Sequence, residues 1–547
     1  VKLRERTGAR RTSASLVVAL SAGIVVATVM LLAAFSGRSG AATPGPVQAI
    51  ATGGASGMAL GSGLEWGWGF NRYGEVGNHT NGNNIFPPVP VVGPSAVGYF
   101  TGAQAIAAGG DHSLALRNDG TVWAWGRNDH GQLGLNTNDN HTVPYQVHGP
   151  ENVGYLSGIT AIAAGSGHSL AVGSDGHVYS WGWNVNGQLG VNSNNTHWYP
   201  VPVHGPGNVG NLTGITAVAG GYGFSLALKD DGTVWAWGDN GRCQLGNPCG
   251  GHSYTPVQVR GPNGEGFLTD VVAIAAGGST DAFGTDHSLA LRNDGTVWAW
   301  GDNTYGELGV NSNDKHWVPQ QVHGPENVDY LSGITGVAAG SGHSVAVGND
   351  GHVYTWGQNL YGQLGINSNN THWYPVPVHG PGNVGNLTGI EHVAAGGGLS
   401  LALRNDGTVW GWGDNRFYQV DRSGYPQFVP VQVTGFDTST PPDTTAPQTK
   451  ITQHPPRVVI ATGRKAKARF AFTSSERGST VACKLDKSGW RREKSAPRPD
   501  KTGWHACESP RTYRVKPGRH TFKVRATDRS GNTDSSAARW RWKVKRP

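Results

Sequence analysis

Along most of the chain, apolar and polar residues alternate with a period of two, in short runs closed by glycine. His112-Ser-Leu-Ala-Leu-Arg117 is one such run, and Thr121-Val-Trp-Ala-Trp-Gly126 is the next. Alternation of this kind marks a β-strand with one buried face. Asn118-Asp119-Gly120 between them has the composition of a tight hairpin turn, where Gly supplies the positive φ. Runs at 104–108 and 143–148 predict two more strands, making four antiparallel strands in all.

The four-strand unit recurs. An Ala-[Ile/Val]-Ala type of start stands at Ala49, Ala105, Ala161, Ala217 and Ala273, each 56 residues after the last. Gly336 follows after 63, because residues 279–285 insert seven, and His392 restores the spacing of 56. Trp-Gly pairs at Trp68, Trp125, Trp181, Trp237, Trp300, Trp356 and Trp412 mark seven units. Seven four-stranded units in series predict an all-β, seven-bladed β-propeller over residues 49–436.

Written out, the unit is A-I-A-A-G-x-x-H-S-L-A-L-x-x-D-G-x-V-x-x-W-G-x-N-x-x-G-Q-L-G, and it resembles the regulator of chromosome condensation repeat. The resemblance covers 49–436 and implies the same propeller. For function it implies two different things. Eukaryotic members exchange guanine nucleotides on a small nuclear GTPase, and a secreted β-lactamase inhibitory protein shares the architecture. No contact residue of either aligns here, and propellers host unrelated activities.

Residues 192–215 recur unchanged at 367–390, and units 2–4 match units 5–7 better than they match one another. A duplicated three-unit block accounts for this, so agreement across all seven units is the better test of what the fold requires. By that test the histidine at 112, 168, 287 and 343 is structural, since Ser56, Phe224 and Leu399 replace it elsewhere. A hydrogen bond to a neighbouring blade is its expected role. The serine that follows lies inside a strand, without the strained elbow of a nucleophile. Asp119 and its equivalents precede Gly and serve the turn. With no catalytic constellation and no phosphate loop, the chain reads as a non-enzyme with no catalytic residue, metal or cofactor.

Large aromatics tip the long polar segments between units: Trp198, Tyr199, Trp317, Trp373 and Tyr374. They are candidate anchors for a protein or glycan partner, and the same rings fit packing against their own blade. Residues 279–285 form a second candidate contact loop.

The ends of the chain change the picture. Lys2, Arg4, Arg6, Arg10 and Arg11 precede an uncharged run at 14–35 and a small-residue segment at 36–42. Residues 1–48 therefore read as an export signal or an uncleaved transmembrane anchor, both placing the rest extracellularly or at the cell surface of a bacterium. In an exported chain Cys243 with Cys249, and Cys483 with Cys507, are expected disulfides. A zinc site on Cys243, Cys249 and His252 lacks a second pair of ligands.

Residues 437–449 are a Thr/Pro-rich linker, and 450–547 show alternating runs that resemble an Ig-like β-sandwich. From 437 onward there are 26 Lys plus Arg against 9 Asp plus Glu, whereas 49–436 carry 11 against 26. An acidic propeller thus joins a basic module. Anionic wall polymer, lipid head groups or the acidic propeller itself are its expected counter-charges; nucleic acid is not, since the module has no nucleic-acid motif. The chain is read as a monomer.

Overall fold

The computed structural model describes residues 47–61, 63–278, 285–436, 448–461, 463–474, 480–485, 504–507, 509–527, 533–534 and 536–546. The expected export signal or anchor, most of the 279–285 insertion and most of the 437–449 linker lie outside the described residues. Among the described residues no helix is long and apolar enough to cross a membrane.

Residues 47–433 form seven four-stranded antiparallel sheets, each built from four consecutive strands. In the second sheet these are Ala103–Ala108, His112–Arg117, Val122–Gly126 and His141–Gln146. The predicted hairpin is present, with Leu116 opposite Val122 and Gly120 at φ 77°. The first strand of each sheet is innermost. These strands pack side by side in a circle, and Val47–Thr52 of the first sheet meets Ile390–Ala395 of the last. Together they line an axial channel of about 1110 Å³, walled largely by Ala, Gly and Val.

Each blade is sealed to the one before it by the same contact. Trp181 is fully buried and lies in one core with Leu114, Leu116 and Leu133 of the preceding blade. Burying an indole removes about 150–250 Å² from water, roughly 4–6 kcal/mol on area bookkeeping. Its Nε1–H donates to the Gln132 carbonyl at 2.9 Å, and Ser169 Oγ–H donates to the same oxygen at 2.8 Å. The Ser169 proton is therefore spent, so the His112 Nε2–H must donate to Ser169 Oγ, 2.9 Å away. His168 with Ser225, His287 with Ser344 and His343 with Ser400 repeat this geometry. Burial pulls His112 and His168 down to about 3, which keeps the ring neutral. The histidine and serine are thus a cross-blade clamp.

The ring closes without exchanging a strand between its ends. Trp68 Nε1–H of the first blade donates to Gln419 O of the seventh at 2.8 Å. Phe436 then sets its ring edge-on against Trp66 and Trp68. One position in the first blade breaks the pattern. Glu65 stands where the other blades carry Val122, Val178, Val234, Val297, Val353 and Val409. It is buried, neither carboxylate oxygen has a hydrogen-bond partner among the described residues, and burial raises its pKa well above the ordinary value.

Beyond the ring, a three-stranded and a five-stranded sheet share one core. Phe470, Phe472 and Tyr513 of the smaller sheet pack against Phe522, Val524 and Trp542 of the larger. Cys483–Cys507 is a disulfide within the larger sheet, and Cys243–Cys249 is a second one in the fourth blade. The latter excludes the zinc alternative, because the disulfide consumes both thiolates.

Two outcomes are expected. In a double-mutant cycle by thermal melting, Trp181→Phe costs about 1 kcal/mol in hydrogen bonding beyond any packing loss, and Ser169→Ala about 2–4 kcal/mol, because it also orphans the buried His112 Nε2–H. The pair together costs more than the sum, because only then is the Gln132 carbonyl left unpaired; strict additivity would show that the two donors act independently. Glu65→Val is expected to stabilise the chain by roughly 1–3 kcal/mol, by removing an unpartnered buried carboxyl; a lower melting temperature would contradict this.

Candidate functional site at the rim of the channel

Antiparallel succession brings two sets of loops to one end of the ring: the turn between the first two strands of each blade, and the start of the long loop after each Trp-Gly pair. In every blade that long loop opens as Trp-Gly-x-Asn-x-x. The asparagine is invariant among the seven (Asn71, Asn128, Asn184, Asn240, Asn303, Asn359 and Asn415) and buried. Asn128 shows why. Its Oδ1 accepts Leu133 N–H at 2.9 Å and its Nδ2 donates to Thr137 O at 2.8 Å, so one side chain folds the whole loop. The residues on either side of it are free to vary and face the rim.

Many of those residues are aromatic, arginine or carboxylate, and several touch across the seams between blades. Phe70 of the first blade lies edge-on to Phe417 of the seventh at 4.9 Å. Arg127 of the second stacks over Tyr73 of the first at 5.1 Å. His130 stacks on Trp183 of the third, and Trp183 meets Tyr222 of the fourth at 5.5 Å. Arg242 of the fourth reaches Asp302 of the fifth at 3.3 Å. Arg416 of the seventh sits 4.3 Å over Tyr361 of the sixth. Phe70, Asp111, Arg127, Tyr222 and Phe417 also line the channel mouth. Val185 and Leu360, each beside the invariant asparagine, stand 54% and 59% exposed. The rim is therefore a ring of rigid planar groups with two apolar tips.

Charges are held in place here. Arg127 bonds Asp111 at 3.1 Å and Asp129 at 2.7 Å, while Arg416 grips buried Asp414 with two bonds of 2.9 and 2.8 Å. Under the rim, Glu75 and Glu307 occupy the position that is Gln132, Gln188, Gln244, Gln363 and Gln419 in the other blades. Each accepts a backbone N–H, from Tyr73 and Tyr305, through one oxygen, and the other has no hydrogen bond among the described residues. Burial, reinforced by the nearby charges of Asp111 and Asp302, pushes both up to about 8. Both are therefore largely protonated near neutral pH. No group of three or more His, Cys, Asp or Glu able to hold a metal occurs among the described residues.

The aromatics singled out from the sequence lie on the outermost strands, not in loops. Trp198 and Tyr199 fall in His197–Pro202, Trp317 in His316–Gln321, and Trp373 and Tyr374 in His372–Pro377. His197 pairs with Gly182, so Trp198 stands at the rim end of its blade but on its outer edge. The structure packs two of these rings onto the preceding blade. Trp198 covers Gly131, where a Cβ would come within 2.8 Å of the indole, and Trp373 covers Gly306 in the same way. The Trp198 and Trp373 carbonyls accept Asn136 N–H and Asn311 N–H, each at 2.8 Å. In the fourth blade Cys243 takes that glycine position, at φ 69°, and Trp317 lies against Gly264 instead. Trp317 and Trp373 nonetheless remain 37% and 41% exposed.

A signal for the rim was present in the chain. Residues 112–126 equal 287–301, yet the next four read Arg-Asn-Asp-His in one copy and Asp-Asn-Thr-Tyr in the other. Trp183-Asn-Val-Asn against Gln358-Asn-Leu-Tyr, and Asp239-Asn-Gly-Arg against Asp414-Asn-Arg-Phe, diverge at the same place. In all three duplicated pairs the strands and the seam tryptophan are kept while residues beside the loop asparagine change.

Geometry and sequence agree on the class of protein: a repeat-built β-propeller with a variable rim. The model of the RCC1-like domain matches residues 32–283 and 158–483, and the chain belongs to that family. Among curated proteins it is 31% identical to the ultraviolet-B receptor UVR8 of Arabidopsis thaliana, over 60% of this chain and 69% of that one. It is 32% identical to the human E3 ubiquitin-protein ligase HERC2, covering 65% of this chain but 7% of that much longer protein. Among solved structures, yeast RCC1 (Prp20) bound to Kap60 superposes with a TM-score of 0.56 at 21% identity, covering 79% of this chain and 92% of that one. Human WBSCR16 gives 0.51 at 24% identity, covering 64% and 85%. These two likenesses concern the fold.

The two buried glutamates give a pH dependence with a definite sign. Their ordinary value is 4.5 and their folded value about 8, so the folded state holds extra protons between those limits. The stability they contribute is present below pH 4.5 and is lost as pH rises through about 8. Glu75→Gln with Glu307→Gln is expected to flatten the fall in melting temperature between pH 5 and pH 9. An unchanged slope would show that neither carboxyl carries the effect.

Proposed function

We propose that this chain is a non-enzymatic binding protein that docks a protein partner on the rim of its propeller. The observation that carries this reading is the divergence of the rim on a largely conserved frame. Three duplicated blade pairs keep their seam tryptophan and serine and their hairpin glycine yet differ in the residues flanking the loop asparagine. Aromatic and arginine side chains held by neighbouring blades suit this role, because their contact area costs little conformational entropy. The names of relatives point the same way: UVR8 is a receptor, and yeast RCC1 was solved in complex with Kap60. The outer-edge residues Trp198, Tyr199, Trp317, Trp373 and Tyr374 would extend the contact outward. A glycan is the alternative occupant.

The compartment belongs to the same proposal. Two disulfides fit an oxidising environment, and with the basic, then apolar N-terminal sequence they favour export to the cell surface, with the C-terminal sandwich as an Ig-like module. A second reading, guanine-nucleotide exchange, draws on a mouse relative named as an RCC1-like G exchanging factor-like protein, 28% identical over 60% of this chain. A third is enzyme inhibition of the β-lactamase inhibitory kind.

Affinity capture from cell-surface extract separates these. Val185→Asp with Leu360→Asp, both on exposed tips, is expected to lower capture at least tenfold without changing the melting temperature. Trp198→Ala with Trp373→Ala is expected to lower capture less and to reduce the melting temperature as well. Undiminished capture by the Val185/Leu360 variant would remove the rim from consideration, and accelerated nucleotide release from a small GTPase would favour the second reading.

A further inference from the structure

The five-stranded sheet of the C-terminal sandwich turns one face to its core and the other to solvent. Along Ala538–Lys545, Trp542 and Val544 are buried while Arg539, Arg541, Lys543 and Lys545 are exposed. Successive outward residues on a strand stand about 6.6 Å apart, so four cations form a straight row. The neighbouring strand Gly518–Thr527 buries His520, Phe522 and Val524 and turns Arg519 and Lys523 outward. The register sets Arg519 beside Lys543 and Lys523 beside Arg539. Like charges directly opposite one another weaken a sheet, and none of these six cations has an ion pair among the described residues. Asp534, near the end of this sheet, is already bound to Thr449 N–H and to Ser536.

A second feature lies on the same face. The edge strand Val458–Ile460 runs parallel to the row, with Val458 beside Lys543 and Ile460 beside Lys545. Val459 turns into the core, whereas Val458 and Ile460 are 50% and 66% exposed. Two aliphatic side chains thus border a bed of cations. Among the described residues the tryptophan rings of this module are otherwise engaged. Trp540 stacks on His454 at 3.3 Å under Arg457, and Arg525 covers Trp504 at 4.4 Å. Single-stranded nucleic acid would want open rings to stack on. A lipid surface wants cations for its phosphates and a few aliphatic groups for its acyl boundary.

We infer that this sheet face is a docking surface for a bilayer rich in anionic phospholipid. It lays the cation rows against the headgroup phosphates, with Val458 and Ile460 entering the interface at the sheet edge. The inference is independent of what the propeller binds.

Sedimentation of the full chain with vesicles tests it, comparing phosphatidylglycerol-containing vesicles with pure phosphatidylcholine. The uncharged 14–35 run is present in every variant, so the excess on anionic vesicles is the readout. That excess is expected to be at least tenfold at low salt and to shrink as salt rises. Arg541→Gln with Lys543→Gln, both outward-facing, is expected to cut it about tenfold. Val458→Ser with Ile460→Ser is expected to cut it several-fold, mostly at higher salt. No excess on anionic vesicles, or an excess unchanged by Arg541→Gln with Lys543→Gln, overturns the inference. Tighter binding to soluble polyphosphate or single-stranded DNA than to vesicles, indifferent to the Val458/Ile460 variant, also overturns it and assigns the face to a soluble polyanion.

Discussion

One backbone carbonyl at each seam holds the ring together. In the second blade it belongs to Gln132, and it accepts both the Trp181 indole N–H and the Ser169 hydroxyl of the next blade. A carbonyl oxygen has two lone pairs, so both donors are satisfied without competition. Because the seam is buried, losing both donors would leave the carbonyl unpaired, which costs more than the two bonds return in water. The same carbonyl recurs from Glu75 to Gln419, and the Trp68 bond to Gln419 makes the set circular. A chain of sheets that each bury an indole against the last becomes a closed ring only when this final contact forms.

With the frame secured in this way, the rim is released from structural duty. The buried asparagine folds each long loop from within, so the side chains beside it need no particular identity for folding. They can instead be selected for what they touch. Cross-seam pairs such as Arg127 over Tyr73 and Arg416 over Tyr361 lock these side chains in defined orientations. Loops that are long but fixed in this way suit recognition, since little freedom remains to be lost on contact.

The C-terminal sandwich answers a different constraint. Its core is conventional, with phenylalanines from both sheets in contact, but its outward face keeps like charges opposite one another across the strands. That arrangement gains nothing for the fold. An acidic propeller and a cationic sheet thus stand in one chain.

The blade count, the strands, the hairpins and both disulfides were legible in the chain, because each depends on short-range periodicity or on close cysteine pairs. The structural role of His112 was also legible, from its replacement by Phe224 and Leu399. The rim was not, although its signal lay in the four residues after each Trp-Gly pair, because nothing in one dimension shows that seven short variable stretches converge on a single mouth. Trp198 and Trp373 drew attention as aromatics in polar surroundings, and only the fold reveals that each lies over a glycine of the blade before it. Sequence by itself determined what repeats, since a period of two and a spacing of 56 residues are properties of the chain. Tertiary structure decided what meets, since ring closure brings residues more than 300 positions apart, such as Phe70 and Phe417, to within 4.9 Å.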